Sequence, residues 1–323
     1  MSIPGLTGAL QLWAETANGT AHLVNHSENH TFRIDVPSGE RFSLRVHRPG
    51  YQSRANIESE LAWLDALRRD TGLPVPQPIK GRDGRVLQAF EQAGQGARLA
   101  VLFAHVAGQE PAASGNLEAL FVTLGGFAAR MHRHVIDWQR PLGFERQIWS
   151  PERILDADGL WGDWRAAPGV SADIRTTLDV LDALLRRRLA DYGTAGDRFG
   201  LIHADMRLGN LLVEDDHVTL IDFDDSGFCW FAYDFAAAIS FHETHLAVPA
   251  LKAAWLRGYL PIRALAPADI AAMDTMVMLR RMALLAWVGS HSETRLAQTH
   301  SPGFALGTAQ LAQRYMASGQ ALR

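Results

Sequence analysis

One stretch of this 323-residue chain constrains its fold more than any other. It is Leu201-Ile-His-Ala-Asp-Met-Arg-Leu-Gly-Asn210-Leu-Leu-Val213, followed by Val218-Thr-Leu-Ile-Asp-Phe-Asp-Asp225. Two short apolar runs, each ending at an acidic or amide-bearing residue, read as strands of a β-hairpin that aims Asp205, Asn210 and Asp222 towards one point. Single Asp and Asn residues in loops are ordinarily turn-formers and caps. The ordered combination of His-x-Asp-x4-Asn, an apolar strand, a second apolar strand and Ile-Asp demands a different explanation. Two carboxylates and an amide oxygen make a hard oxygen site suited to Mg2+, which takes few protein ligands and keeps waters or phosphate oxygens. A further acid nearby can orient a hydroxyl for attack. Phosphoryl transfer needs this inventory, because its catalysis is mostly positioning and charge neutralisation.

The surrounding pattern places that segment in a fold. Residues before it begin β-rich, with short β-prone runs at Ala21–Val24, Thr31–Val36 and Arg41–His47. Asn56–Arg69 changes to helical spacing, with Ile57, Leu61, Leu64 and Leu67 on one face, until Thr71–Pro78 terminates it. Val86–Phe90 and Ala100–Val106 read as two further strands. From Ser114 onward helices dominate, at Asn116–His132, Ser171–Ala190 and most of Pro267–Leu322. The expected organisation is 1–104 as a β-rich nucleotide-binding lobe and 105–323 as a helical lobe carrying the catalytic and metal-binding loops.

The catalytic segment resembles the motifs of the aminoglycoside phosphotransferase superfamily, which includes choline kinases and type II homoserine kinases. His203-Ala-Asp-Met-Arg-Leu-Gly-Asn210 and Ile221-Asp-Phe-Asp-Asp225 are most similar to a bacterial stress-response kinase group, and Tyr233-Asp-Phe-Ala236 matches a pattern that follows in these proteins. The resemblance implies an α+β, protein-kinase-like two-lobed fold, with a small β-rich N-lobe, a larger mainly helical C-lobe and the ATP cleft between them. It implies Asp205 as catalytic base, Asn210 and Asp222 as Mg2+ ligands, and His203 as a brace of the loop. Arg207 would contact the transferred group or pair with Asp224 or Asp225, while Asp234 would brace the loop.

The N-lobe matches more loosely. Ser27-Glu-Asn-His-Thr31 occupies the position of the loop over the ATP phosphates, so Ser27 and Asn29 are candidate nucleotide contacts. Arg45 stands where protein kinases carry a lysine, and its guanidinium can donate two hydrogen bonds to phosphate or carboxylate oxygens. Glu60 is the chosen partner for Arg45, with Glu58 as competitor. The hinge is expected at Leu102–His105, where the backbone of Phe103 and His105 would meet the adenine edge.

Composition narrows the partners. The formal charge is −4, which supplies no polycationic surface for nucleic acid. Of the 31 basic and 35 acidic side chains, 11 and 10 fall in residues 1–104, leaving 20 and 25 for the rest. The single Cys229 excludes an intramolecular disulfide and a cysteine-built zinc site. No signal peptide is read, and the apolar stretch Met276–Gly289 is interrupted by Arg280 and Arg281, so no membrane association and a cytoplasmic location are expected. Gly94-Gln-Gly96 reads as a hairpin turn, and no Gly-x4-Gly-Lys-Ser/Thr loop is present. His242-Glu-Thr-His245 lacks the spacing of a His-Glu-x-x-His metal site. The tryptophans read mostly as core or pocket lining; Trp149, Trp161 and Trp164 cluster in an insert that, by the resemblance to these kinases, would border the acceptor site. The leading expectation is an ATP- and Mg2+-dependent kinase acting on the hydroxyl of a small amino alcohol, hydroxy amino acid or amino sugar. A Ser/Thr protein kinase and a nucleotide-binding pseudokinase are the alternatives, and oligomeric state is left open.

Overall fold

The computed structural model describes residues 3–320 apart from 27, 28, 93, 95 and 114. The chain begins with α1 (Leu6–Ala9), β1 (Thr20–His26), β2 (His30–Asp35), β3 (Arg41–Val46), α2 (Arg54–Thr71), β4 (Pro78–Ile79), β5 (Gln88–Gln92) and β6 (Gly96–Ala104). It continues through α3 (Leu117–Asp137), β7 (Gln147–Ile148), α4 (Pro151–Leu155), α5 (Ala172–Tyr192) and β8 (Phe199–Ile202). Then come β9 (Leu211–Glu214), β10 (His217–Leu220), β11 (Gly227–Trp230), α6 (Tyr233–Ala238), α7 (Val248–Tyr259), α8 (Pro267–Ser290), α9 (Arg295–His300) and α10 (Phe304–Gln320). These elements form two compact units. The smaller holds residues up to Glu110, Gln139–Arg146 and Leu211–Asp224, and the larger holds Pro111–Trp138, Gln147–Asn210 and everything from Asp225.

In the smaller unit an antiparallel sheet runs in the order β1-β2-β3-β6-β4, with β5 also paired to β6. Alternation along β3 sends Phe42, Leu44 and Val46 into a core shared with Phe32, Ile34 and Leu102. Leu6 and Trp13, from α1 and the turn after it, close that core, and Trp13 Nε1 donates to the Ile79 carbonyl at 3.1 Å. The opposite face of β3 carries Arg45, and His47 follows in the same register. Helix α2 is capped by Ser53, which accepts from Asn56 N, and ends at Gly72 with φ 62°. A left-handed residue after a helix favours glycine, which bears no Cβ. One face of α2 buries Ile57, Leu61, Leu64 and Leu67, and the same burial takes in Glu60.

The pairing around the catalytic motif differs from the sequence expectation. The run ending at Ile202 does not form a hairpin with the run before Asp222. Strand β8 pairs with β11, aligning Leu201 with Phe228, whereas the hairpin joins β9 to β10. The turn at Asp215-Asp216 explains the preference, because two residues suffice to fold β10 back on β9, with Asp215 at φ 52°.

In the larger unit, β7-β11-β8 form a small sheet among helices. Helix α8 is buried on all sides from Met276 to Val288, as expected for a helix at the centre of a helical core. No described helix is long and apolar enough to cross a membrane. Helices α3 and α7 approach at glycines: a Cβ on Gly125 would lie 2.0 Å from Trp255 O, and one on Gly258 would lie 1.9 Å from Val122 O.

The helix crossing and a buried histidine each give a testable outcome. Gly125→Ala should destabilise the protein by roughly 3 kcal/mol in urea unfolding, because the obstructing atoms are backbone. The neighbouring Gly126→Ala, whose Cβ has 3.7 Å of clearance, should not. Equal stability of the two variants would contradict the close helix crossing. The histidine is His47, whose ring nitrogens have no hydrogen-bond partner among the described residues. Burial, and then Arg45, Arg146 and Arg98, push its pKa down to about 2. Since the folded value lies below the unfolded one, the linked stability is present above about pH 6.5 and is lost as pH falls towards the folded value. Between about pH 7.5 and pH 5 the loss should be about 2 kcal/mol, and His47→Leu should remove it. An unchanged pH slope in that variant would disprove the assignment.

Candidate active site

In the smaller unit the guanidinium of Arg45 is buried against three partners. Its Nη2 donates to both carboxylate oxygens of Glu60, at 2.7 and 2.8 Å. Its carbon lies 5.3 Å from the centre of the Phe103 ring, and Nη1 stands 3.7 Å from Asp222 Oδ1. Glu58 is exposed and pairs with Arg54 at 3.3 Å. Of the two glutamates, Glu60 is therefore the partner of Arg45. Burial opposes the charge on Arg45, but Glu60, Asp224 and Asp222 outweigh it and raise the pKa, so the group stays protonated. Arg45 Nε has no hydrogen-bond partner among the described residues.

Asp222 follows β10 with φ 62°, a left-handed conformation uncommon for a non-glycine residue. Its side chain is 49% exposed, leaving a carboxylate accessible to a cation. Asp224 is buried, and its Oδ2 accepts from Asn29 Nδ2 at 2.6 Å. The other oxygen, Oδ1, has no hydrogen-bond partner among the described residues. Burial pushes this carboxyl up to about 6, against the opposing pull of Arg45. The Asp224 carbonyl accepts from Gln52 Nε2 at 2.6 Å and from an Arg146 Nη2 N–H. Asn29 Oδ1 accepts from Arg48 N at 3.2 Å, so this amide ties the residues just after β3 to Asp224. Ser27 lies outside the described residues.

The expected hinge residues differ in setting. Phe103 is inside β6, aligned with Ser43 on one side and Pro78 on the other, and its ring is buried beneath Arg45. His105 follows the strand and is exposed.

The larger unit carries the loop that holds Asp205. Asp205 follows Ala204, whose φ of 66° is also left-handed. Hydrogen bonds hold that turn from both sides: Asp234 Oδ1 accepts from Ala204 N at 2.8 Å, and the Ala204 carbonyl accepts from Arg280 Nη1 at 3.3 Å. Asp234 also meets His132 Nε2 at 2.9 Å, and His132 Nδ1 meets Tyr259 Oη at 2.9 Å. His203 Nδ1 accepts from Asp205 N at 3.2 Å. The Asp205 carboxylate is engaged at both oxygens. Oδ1 accepts from Arg280 Nη2 at 2.5 Å, while Oδ2 accepts from Asn210 Nδ2 at 2.6 Å and Arg207 Nε at 3.2 Å. Burial works against ionisation, but Arg280 and Arg207 overcome it and hold the carboxyl below its usual range. Asn210 Nδ2 also donates to the Asp205 carbonyl at 2.9 Å. Asn210 thus directs its amide N–H groups to Asp205.

Taken separately, the exposed carboxylate of Asp222 in the smaller unit and the side-chain amide of Asn210 in the larger unit are each of the oxygen-donor type that Mg2+ takes. Among the described residues no group of three or more His, Cys, Asp or Glu could hold a metal by itself. In His242-Glu-Thr-His245, Glu243 instead accepts from Arg281 Nη1 at 2.7 Å. Trp149 and Trp164 are core residues, while Trp161 lies against the Arg280 guanidinium at 5.0 Å. Arg207 pairs with Asp205, an arrangement outside the options drawn from sequence. The sequence reading also did not pair Arg280 with Asp205. Its signal was present, however: a charged residue within an apolar helical stretch requires a buried partner.

Comparison with known proteins identifies the family. Residues 21–273 match the model of the phosphotransferase enzyme family. The chain is 30% identical to a homoserine kinase of Gluconobacter oxydans (strain 621H) over 258 residues, covering 77% of this chain and 75% of that one. It is 40% identical to a microcompartment-associated aminopropanol kinase of known structure, with a TM-score of 0.89 and 97% of each chain covered. An amicoumacin kinase in complex with AMP-PNP and Ca2+ shares the fold at 21% identity, with a TM-score of 0.77 and 96% and 92% coverage. With its α+β, protein-kinase-like architecture, this chain belongs to the phosphotransferase enzyme family and is a kinase.

Proposed function

We propose that this kinase transfers the γ-phosphoryl group of ATP to the hydroxyl of a small amino alcohol, with Mg2+ as cofactor. The observation that carries the reading is the fixed Asp205 carboxylate, set at the corner between β8 and the Asn210 turn. The similarity to an aminopropanol kinase at 40% identity supports an amino alcohol over a hydroxy amino acid. A reducing, cytoplasmic setting accords with the single, buried Cys229.

In this reading Asp205 accepts a hydrogen bond from the acceptor hydroxyl and orients its oxygen for in-line attack. Because Arg280 and Arg207 keep Asp205 ionised, orientation is its main contribution and proton removal accompanies late bond formation. Arg45, held by Glu60, donates to phosphate oxygens. Asp222 and Asn210 offer oxygen atoms to Mg2+. The bound cation supplies neutralisation of the charge on the phosphates. Asn29 and His105 are proposed nucleotide contacts, His105 through its backbone, and Phe103 supports Arg45 through its ring. Residues 223–232, between Asp222 and α6, contain β11 and leave little length for a regulated activation segment, which favours a small acceptor over a protein.

The test is a coupled ADP-release assay with aminopropanol and homoserine as acceptors, followed by product identification. Aminopropanol phosphate should form with the higher kcat/KM. A preference for homoserine would overturn the amino-alcohol assignment, and no phosphorylation of either would overturn the small-acceptor reading. Asp205→Asn should lower kcat by roughly 10^2- to 10^4-fold while leaving the thermal shift with ATP-Mg nearly intact. Asp222→Ala should instead weaken Mg2+-dependent nucleotide binding in calorimetry. Arg45→Lys should reduce kcat/KM about tenfold, equivalent to about 1.4 kcal/mol, because a lysine keeps the charge and loses the fork. Wild-type turnover in Asp205→Asn or unchanged affinity in Asp222→Ala would remove that residue from the mechanism.

A further inference from the structure

We infer that Arg280 is the positioning residue of Asp205, fixing the orientation of its carboxylate from the centre of helix α8. The catalytic consequence rests on the kinase reading above, whereas the geometry rests on the hydrogen bonds alone.

Arg280 is 1% exposed. Each nitrogen of its guanidinium has a separate acceptor. Nη2 donates to Asp205 Oδ1 at 2.5 Å, Nη1 to the Ala204 carbonyl at 3.3 Å and Nε to Ser240 Oγ at 2.9 Å. The Trp161 and Tyr233 rings lie 5.0 and 5.9 Å from its central carbon. A planar fork held in this way has little rotational freedom, and a carboxylate bonded to it inherits that restriction.

The other groups on Asp205 have different constraints. Arg207 reaches Oδ2 through Nε alone, and its side chain is 28% exposed. Asn210 uses the opposite end of an amide proposed to bind the cation, so its orientation is coupled to loading of the site. Arg280 is buried at the centre of α8, and none of its hydrogen bonds goes to Asn210 or Asp222. Its neighbour Arg281 provides an internal comparison. That side chain is also buried, but it bonds Glu243, Thr308 and the Phe304 carbonyl, none of which belongs to the catalytic motif. The two arginines therefore separate a pair aimed at the reacting hydroxyl from one that joins helices.

A buried ion pair is not needed for stability, since apolar replacements of similar volume are often neutral or better. Positioning supplies a reason to retain it, because a misplacement of about 1 Å at a reacting group can reduce rate on the order of 100-fold. Trp161 thus affects the reaction indirectly, through the plane of Arg280.

The test combines kinetics with crystallography of Arg280→Ala and Arg280→Lys, using ATP-Mg with aminopropanol or homoserine. Arg280→Ala should lose on the order of 100-fold in kcat, with KM for ATP unchanged within about threefold. Millimolar guanidinium should restore at least about tenfold of that loss, and Arg280→Lys should fall between wild type and Arg280→Ala. The crystal structure of the variant should show the Asp205 carboxylate rotated from its wild-type plane. If kcat stays within about threefold of wild type, or falls while Asp205 remains in place and guanidinium rescues nothing, the inference is wrong. Should Arg280→Ala fail to fold, Arg280→Lys decides it by the same kcat-to-KM split and the same view of Asp205. Wild-type enzyme inactive on both acceptors would refute the small-acceptor reading, whereas a fixed or rotated Asp205 still decides the role of Arg280.

Discussion

A buried carboxylate at Asp205 requires compensation by opposite charge and hydrogen bonds, and much of the larger unit is arranged to provide it. Arg280 and Arg207 supply the charge, while Asn210 adds a further donor. The backbone beside Asp205 adopts a left-handed turn at Ala204, a conformation that persists only where its surroundings hold it. Asp234, itself bonded to His132, secures one side of that turn, and Arg280 secures the other. An otherwise apolar helix therefore carries a polar residue at its centre. Packing and chemistry meet at that residue.

The smaller unit solves a related problem with the charges reversed. Arg45 projects from the face of β3 opposite the hydrophobic core and is itself buried, so Glu60 must accompany it. The alternation of β3 and the helical spacing of α2 bring the two side chains together. Asp222 stands at the edge of this pair, accessible to solvent, while Asp224 turns inward to Asn29. Within the Ile-Asp-Phe-Asp-Asp run, alternate carboxylates thus have opposite environments. One faces solvent, and the other joins loops.

Membership of the phosphotransferase enzyme family accounts for the chemistry more closely than for the acceptor. The transferred group and its charges are common to these kinases, so the residues that handle them are constrained in type and spacing. In the proposed mechanism the acceptor need only present a hydroxyl to a fixed carboxylate. Its remaining atoms meet side chains that differ among proteins of one fold, which is why fold alone does not specify a substrate.

The sequence by itself determined the family, the α+β class and the helical character of the second half, because these depend on local spacing and hydrophobic period. It also narrowed the partner of Arg45 to two glutamates, both on the following helix. Only tertiary structure decided between them: Glu58 and Glu60 are two positions apart, and the helical turn exposes one while burying the other beside Arg45. Strand pairing around Asp205 was likewise decided in three dimensions, since β8 finds β11 across the catalytic loop and not the strand expected from the apolar pattern. Arg280 is the clearest case. Its position 75 residues from Asp205 gives no local pairing signal, and the contact exists because helix packing buries both charges in the same place.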